Sequence, residues 1–111
     1  MSHLARTPAP PYYAVVFTSR RNTSDPEGYA AAAKILDELA VHQPGFLGIE
    51  SVRAEDGLGI TVSYWASLEA IDAWRNVAVH RQAQATGRTN WYDEFHLRVC
   101  HVERDRHYVR E

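Results

Sequence analysis

Residues 45–65 constrain this chain more than any other stretch. Two β-rich segments, Gly-Phe-Leu-Gly-Ile-Glu-Ser-Val-Arg ending at Arg53 and Gly-Ile-Thr-Val-Ser-Tyr-Trp running from Gly59 to Trp65, flank the step Asp56-Gly57. An Asp-Gly step between two such runs signals a β-hairpin. Both strands put apolar residues on both faces: Leu47 and Ile49 against Val52 in the first, and Ile60, Val62 and Tyr64 against Trp65 in the second. A sheet wetted on one side alternates apolar and polar residues cleanly. This hairpin does not, so the rest of the fold has to cover both of its faces.

The remaining elements follow from local patterns. Residues 1–11 carry Pro8, Pro10 and Pro11 among small and polar residues and read as a flexible leader. Residues 12–18, Tyr-Tyr-Ala-Val-Val-Phe-Thr, are β-branched and aromatic and predict a strand, with a polar loop over 19–24. Asp25-Pro26-Glu27 then opens a helix, with a capping carboxylate, a proline at the first helical position and an acid in the first turn. Tyr29, Ala32, Ala33, Leu36, Leu39 and Ala40 recur on one face of it, and Lys34, Asp37 and Glu38 lie off that face. Pro44-Gly45 ends the helix.

Beyond the hairpin, Ser67 caps a second helix with the apolar stripe Leu68, Ile71, Trp74 and Ala78, and Gly87 is its expected stop. From Trp91 to about Arg104 the pattern is β again. Strict alternation there places Trp91, Phe95, Leu97 and Val99 on one face, and Tyr92, His96, Arg98, Cys100 and Val102 on the other. Residues 105–111 form a charged tail. At 111 residues the chain is one domain, spanning about 12–104 between leader and tail.

The order β-α-β-β-α-β is the ferredoxin-like arrangement, an α+β fold with an antiparallel four-stranded sheet and both helices on one face. Two helices cover only one face of the sheet, yet the hairpin is apolar on both. The last run is also much longer than a usual strand of about 5–6 residues. A homodimer packing sheet on sheet supplies the missing cover.

Composition excludes several classes. A formal net charge of −2 offers no field for nucleic acid. No run approaches the ~18 apolar residues of a membrane span, and the N-terminal residues lack a signal-peptide pattern. The single cysteine, Cys100, precludes an internal disulfide and points to a reducing, cytoplasmic setting. His96, His101, His107 and Cys100 show no zinc spacing, so no metal site is expected.

Gly45-Phe46-Leu47-Gly48 leading into Glu50-Ser51, the run from Gly59 to Trp65, and Trp74, His80, Ala83-Gln84, Gly87-Arg88 and Trp91-Tyr92 together resemble the antibiotic biosynthesis monooxygenase family over roughly residues 12–103. The resemblance implies a dimeric α+β barrel with a pocket in each protomer between sheet and helices. Members with known chemistry either oxidise polycyclic phenols with molecular oxygen, needing no metal or flavin, or bind haem and open its ring. The haem-opening members carry a tryptophan on the second helix, matched by Trp74. Their haem-ligand histidine falls at Gln84 here, and their first-strand asparagine falls near Phe17 or Thr18. Two of three signature residues are therefore absent, which argues against haem opening of that type. His80, one helical turn before Gln84, is the alternative ligand for a haem.

The resemblance therefore implies a cofactor-independent monooxygenase acting with molecular oxygen on a small aromatic or quinone-like compound. His80 is the candidate base, with an ordinary pKa of ~6.5 suited to taking a phenolic proton; it also fits a histidine on the helix surface or one pinning helix to sheet. Arg98, mid-strand among apolar residues, is either an electrostatic partner of an anionic intermediate or half of an ion pair with Glu50 at a dimer interface. Phe17, Trp65, Trp74, Gln84 and Trp91 are candidate pocket walls, and core packing is the other reading of the tryptophans. A dimeric binding or stress-related protein without catalysis fits the same fold.

Overall fold

A computed structural model describes residues 4–24, 26–86 and 91–111, with the side chains of 79–86 outside the description. Its elements are β1 (Tyr12–Arg21), α1 (Pro26–Ala40), β2 (Phe46–Arg53), β3 (Leu58–Trp65), α2 (Leu68–Thr86) and β4 (Tyr92–Val102). The strands form one four-stranded sheet in the order β2-β3-β1-β4, and every neighbouring pair is antiparallel. This is the βαββαβ fold expected from the sequence.

The turn chemistry is local. Gly57 has φ +97°, a left-handed conformation that side chains disfavour. Asp56 Oδ1 accepts from the Leu58 amide at 3.0 Å, and the Ala54 and Leu58 backbones close the loop with a 2.8 Å bond. At α2, Ser67 Oγ accepts from the Ala70 amide at 3.1 Å, the expected N-cap. Along α1, Ala32 and Ala40 are buried while Lys34, Asp37 and Glu38 are exposed, as the 3.6-residue period requires. Asp25 and Gly87, the expected helix start and stop, lie outside the described residues.

Register assigns the two faces. Tyr13, Val15, Phe17 and Ser19 of β1 lie opposite Trp65, Ser63, Thr61 and Gly59 of β3, and opposite His101, Val99, Leu97 and Phe95 of β4. Trp65 stacks on Trp74 of α2, and Arg53, paired with Gly59, donates to Tyr29 of α1. This is therefore the helix side. Its core centres on Trp65, which is fully buried (0% exposed), with Ile71 of α2 also buried. Coverage by the described residues stops short of β4, where Phe95, Leu97 and Val99 are 60%, 51% and 47% exposed.

The second face carries Tyr12, Ala14, Val16 and Thr18 of β1 with Tyr64, Val62, Ile60 and Leu58 of β3. Part of the leader crosses it. The Ala5 amide donates to Glu50 Oε2 at 2.8 Å, and a Cβ built on Gly48 would lie 3.0 Å from Ala5 Cβ. Thr7 Oγ1 donates to the Tyr12 hydroxyl at 3.0 Å, and that hydroxyl donates to Asp105 of the C-terminal segment. Val52, Leu58 and Ile60 remain exposed there.

Two expectations are corrected. β1 runs on through Ser19, Arg20 and Arg21 instead of ending at Thr18 in a loop, because β3 pairs with it as far as Arg20 and β4 as far as Arg21. The register of β1 and β4 then shifts between Arg20 and Arg21, which leaves Asp93 as an extra residue between Glu94, paired with Arg20, and Tyr92, paired with Arg21. This β-bulge turns Tyr92 onto the helix side with Phe95, against the simple alternation read from the sequence.

Candidate functional site

The helix side has two aromatic poles. At one, Trp65 and Trp74 stack with centroids 6.1 Å apart and planes 22° from parallel, and Phe46 meets Trp65 edge-on at 5.5 Å. The Trp65 indole N–H donates to Ser63 Oγ at 2.9 Å. A fully buried ring with its one polar atom satisfied is core packing, so Trp65 anchors α2 to the sheet.

The other pole lies four residues along β1, ~13 Å away at the usual strand rise. Phe17 packs against Tyr92 at 5.3 Å and Phe95 at 5.4 Å. Tyr92 and Trp91 both meet Tyr29 edge-on, at 5.9 and 5.7 Å. Tyr29 descends from the first turns of α1, where the helical period that buries Ala32 and Ala40 points it at the sheet. The bulge at Asp93 delivers Tyr92 to the same spot. Leu97 and Val99 continue an apolar floor from this cluster along β4.

Polar groups close the Phe95 end of that floor. Arg53 leaves the last position of β2 and crosses β3 at Gly59, where an added Cβ would lie 2.7 Å from its Cζ. Its guanidinium donates to the Gly57 carbonyl, to Ser19 Oγ at 3.2 Å and to the Tyr29 hydroxyl at 3.3 Å. Ser19 is 2% exposed, a buried hydroxyl kept in place by that cation. Tyr92 donates to Tyr29 Oη at 3.3 Å. The Arg21 guanidinium sits 4.1 Å over the Tyr29 ring, within cation–π range. Among the described residues the one ion pair is Arg20 with Asp56, at 3.9 Å on the surface. Arg53 and Arg21 have no carboxylate partner in that set.

Of the two phenols here, Tyr29 accepts and Tyr92 donates. Burial, with the hydrogen bond to Tyr29 second, pushes the Tyr92 hydroxyl well above its ordinary range. The nearby guanidiniums of Arg53 and Arg21 pull it back less. Tyr92 is therefore neutral at physiological pH and cannot serve as a base.

The sequence candidates separate accordingly. Phe17 and Trp91 belong to the Tyr29 pole, with Trp91 buried at 4% exposure; Trp65 and Trp74 form the other. His80 and Gln84 lie on α2, but their side chains are outside the described residues. Arg98 is exposed and pairs with Val16, on the face away from the helices. The expected Arg98–Glu50 pair does not form within a protomer. The two share one row across the sheet, Glu50–Val62–Val16–Arg98, about 14 Å apart at normal strand spacing. Glu50 instead accepts from the Tyr64 hydroxyl at 2.7 Å and from Ala5. Two strand arginines reach the helix side instead, Arg21 from β1 and, from across the sheet, Arg53. The signal for it was present: Arg53 is two and four residues beyond Ser51 and Ile49, so strand alternation puts it on Ile49's face.

Comparison with known proteins places this geometry in context. The family model for antibiotic biosynthesis monooxygenases matches residues 13–86. An uncharacterised protein, YqjZ of Bacillus subtilis strain 168, is 50% identical over 106 residues, covering 96% of this chain and 92% of that protein. The jasmonate monooxygenase ABM of Pyricularia oryzae is 32% identical over 94 residues, 81% of this chain; the match spans only 43% of that longer protein. SnoaB, a cofactor-independent oxygenase from Streptomyces nogalater, shares the fold with a TM-score of 0.59 at 11% identity, over 80% of this chain and 89% of that structure.

Proposed function

Because the chain belongs to the antibiotic biosynthesis monooxygenase family, we propose that it is a monooxygenase that oxidises a small aromatic or quinone-like compound with molecular oxygen and without a bound cofactor. The observation that carries this reading is the half-exposed floor of Phe95, Leu97 and Val99 on the helix side, walled by Phe17, Tyr92 and Tyr29. Large apolar side chains left open beside buried aromatic rings fit a flat apolar ligand. The cofactor-independent chemistry of SnoaB and the substrate named for the Pyricularia relative support oxygenation of such a ligand.

In this reading His80 takes a proton from a phenol or an activated methylene. The resulting anion reacts with dioxygen. A methylene and dioxygen give a ketone and water, so the substrate supplies all four electrons and no external reductant is needed. Phe17 and Trp91 orient the ring, and Trp65 and Trp74 hold α2 on the sheet. Arg98 acts at the pairing of two sheets, since the protein works as a homodimer. That pairing is supported by the exposed Val52, Leu58 and Ile60 of the second face. The setting is cytoplasmic, in keeping with the free, exposed Cys100. Among the described residues no helix is long and apolar enough to cross a membrane.

The test is oxygen consumption by the purified protein with phenols, hydroquinones, anthrones and jasmonate, in the presence of chelator and without added cofactor. Uptake above the uncatalysed rate with an oxygenated product is expected, and His80→Ala abolishes it while the protein stays folded and dimeric. Absence of uptake with every member of the panel, alongside ligand-induced thermal stabilisation, would make the protein a binding module instead.

A further inference from the structure

We propose that the Arg21–Arg53–Tyr29 cluster is a carboxylate subsite, so that the substrate is an apolar ring carrying one acidic group. The inference rests on the helix side being the substrate site.

Two guanidiniums lie within 6 Å of the centroid of one half-buried phenol ring, at 4.1 and 5.9 Å. Both arginines are half-buried, and two cations gathered on one ring create a positive field that favours an anion beside them. None of the described side chains provides one. Arg53 spends its donors on three neutral oxygens, of Gly57, Ser19 and Tyr29. Arg21 makes no side-chain hydrogen bond among the described residues, and its Cζ lies 4.1 Å from the centroid of the Tyr29 ring. Its five donors therefore stay available, in a planar fork suited to bidentate binding of a carboxylate.

A second, independent observation sits in the same cluster. The Trp91 indole nitrogen is buried and has no hydrogen-bond partner among the described residues, and its ring packs on Tyr29. Buried N–H groups are nearly always paired, so an acceptor at this spot is missing. Arg53 cannot retreat to supply other contacts, because Gly59 beneath it and the Gly57 carbonyl beside it hold the guanidinium in place. The cluster thus joins a cationic end to an apolar floor of Phe17, Phe95 and Leu97. That amphipathic shape matches a ring or short chain with a terminal carboxylate. In such a complex Arg21 binds the carboxylate directly, while Arg53 orients Tyr29 and adds to the positive field.

The probes are 2-naphthoate and its neutral isostere 2-naphthamide, titrated calorimetrically into the full-length protein at low salt. One charge-assisted bidentate contact predicts tighter binding of the carboxylate by at least about tenfold, with a preference that shrinks as salt rises. Arg21→Gln should abolish the preference, so that 2-naphthoate binds no more tightly than 2-naphthamide to that variant. Arg53→Gln should reduce it, but that variant also loses a hairpin contact, so Arg21→Gln and the comparison in unmodified protein decide the matter. Equal affinity for the two probes would overturn the carboxylate subsite and leave the apolar pocket standing. Binding of neither would remove the pocket, and the subsite with it.

Discussion

Gly57→Ala tests how the hairpin turn organises the site. Gly57 has φ +97°, and a Cβ built there lies 2.5 Å from the Arg21 carbonyl oxygen, a contact with backbone that cannot rotate away. A left-handed conformation costs an alanine about 1–2 kcal/mol. Separating the turn from β1 also weakens two bonds to the Gly57 carbonyl, from the Arg21 amide at 3.0 Å and from the Arg53 guanidinium, at roughly 0.5–1.5 kcal/mol each. The lower freedom of alanine in the unfolded chain returns about 0.5–1 kcal/mol. The balance is a loss of about 2 kcal/mol, or roughly 8 °C in Tm for a domain of this size. Urea unfolding followed by tryptophan fluorescence reads it as a lower midpoint at unchanged slope. The same variant should lose the preference for 2-naphthoate over 2-naphthamide, because both arginines contact the Gly57 carbonyl, one through its backbone and one through its side chain. Gly57→Asn separates the terms. Asparagine tolerates positive φ but brings the same Cβ, so it recovers part of the loss if conformation dominates and none if the clash with Arg21 dominates. A loss below about 0.5 kcal/mol in Gly57→Ala would refute the strain argument.

Other consequences are equally direct. Ser67→Ala removes the acceptor for the Ala70 amide and should cost about 1 kcal/mol, seen in chemical unfolding; Ser67→Asp should restore most of it. Trp65→Ala empties a fully buried site beneath Trp74 and Phe46 and should cost about 3–5 kcal/mol, with unfolding near physiological temperature. Burial holds the Tyr64 and Tyr92 phenols above the ordinary value of 10.0, with hydrogen bonds to Glu50 and Tyr29 adding to it. The folded state therefore keeps protons that the unfolded chain releases. That stabilisation is complete below pH 10 and is lost as pH rises above it, so urea midpoints should be flat near pH 8–9 and fall above about pH 10. A midpoint unchanged to pH 11 would contradict the placement of both hydroxyls.

Much of the architecture was legible because it depends on short-range rules. Asp56-Gly57 announced the hairpin, the spacing of Tyr29, Ala32, Leu36 and Ala40 gave the buried face of α1, and Ser67 marked the start of α2. Opposed apolar residues in the hairpin called for cover on both faces; the leader lies against part of the second face, and Val52, Leu58 and Ile60 stay exposed there. The site was less legible, because which face receives the helices is a tertiary choice. Arg53 and Arg98 are both strand arginines, and alternation alone assigns each a face without saying which face is the helix side. Once Trp65 is fixed beneath Trp74, register settles the matter: Ser19, Gly59 and Arg53 follow Trp65 onto the helix side, and Arg98 follows Val16 away from it. Tyr92 escaped for a different reason, since one extra residue at Asp93 inverts everything before it in β4.

That inversion also explains why the arginine cluster sits where it does. Without the bulge, Tyr92 would point to the second face, and Tyr29 would lose both its edge-on neighbour and a hydroxyl partner. Arg21, paired with Tyr92 across the bulge, would have no ring held in place to stack on. The extended end of β1, the bulge in β4 and the bare surface of Gly59 on β3 are thus three departures from simple strand patterns that converge on one phenol. Departures of this kind weaken pairing and packing locally, and they persist where the geometry they create is used. Their convergence on Tyr29, at the cationic end of an apolar floor, is the geometry on which the proposed carboxylate subsite rests.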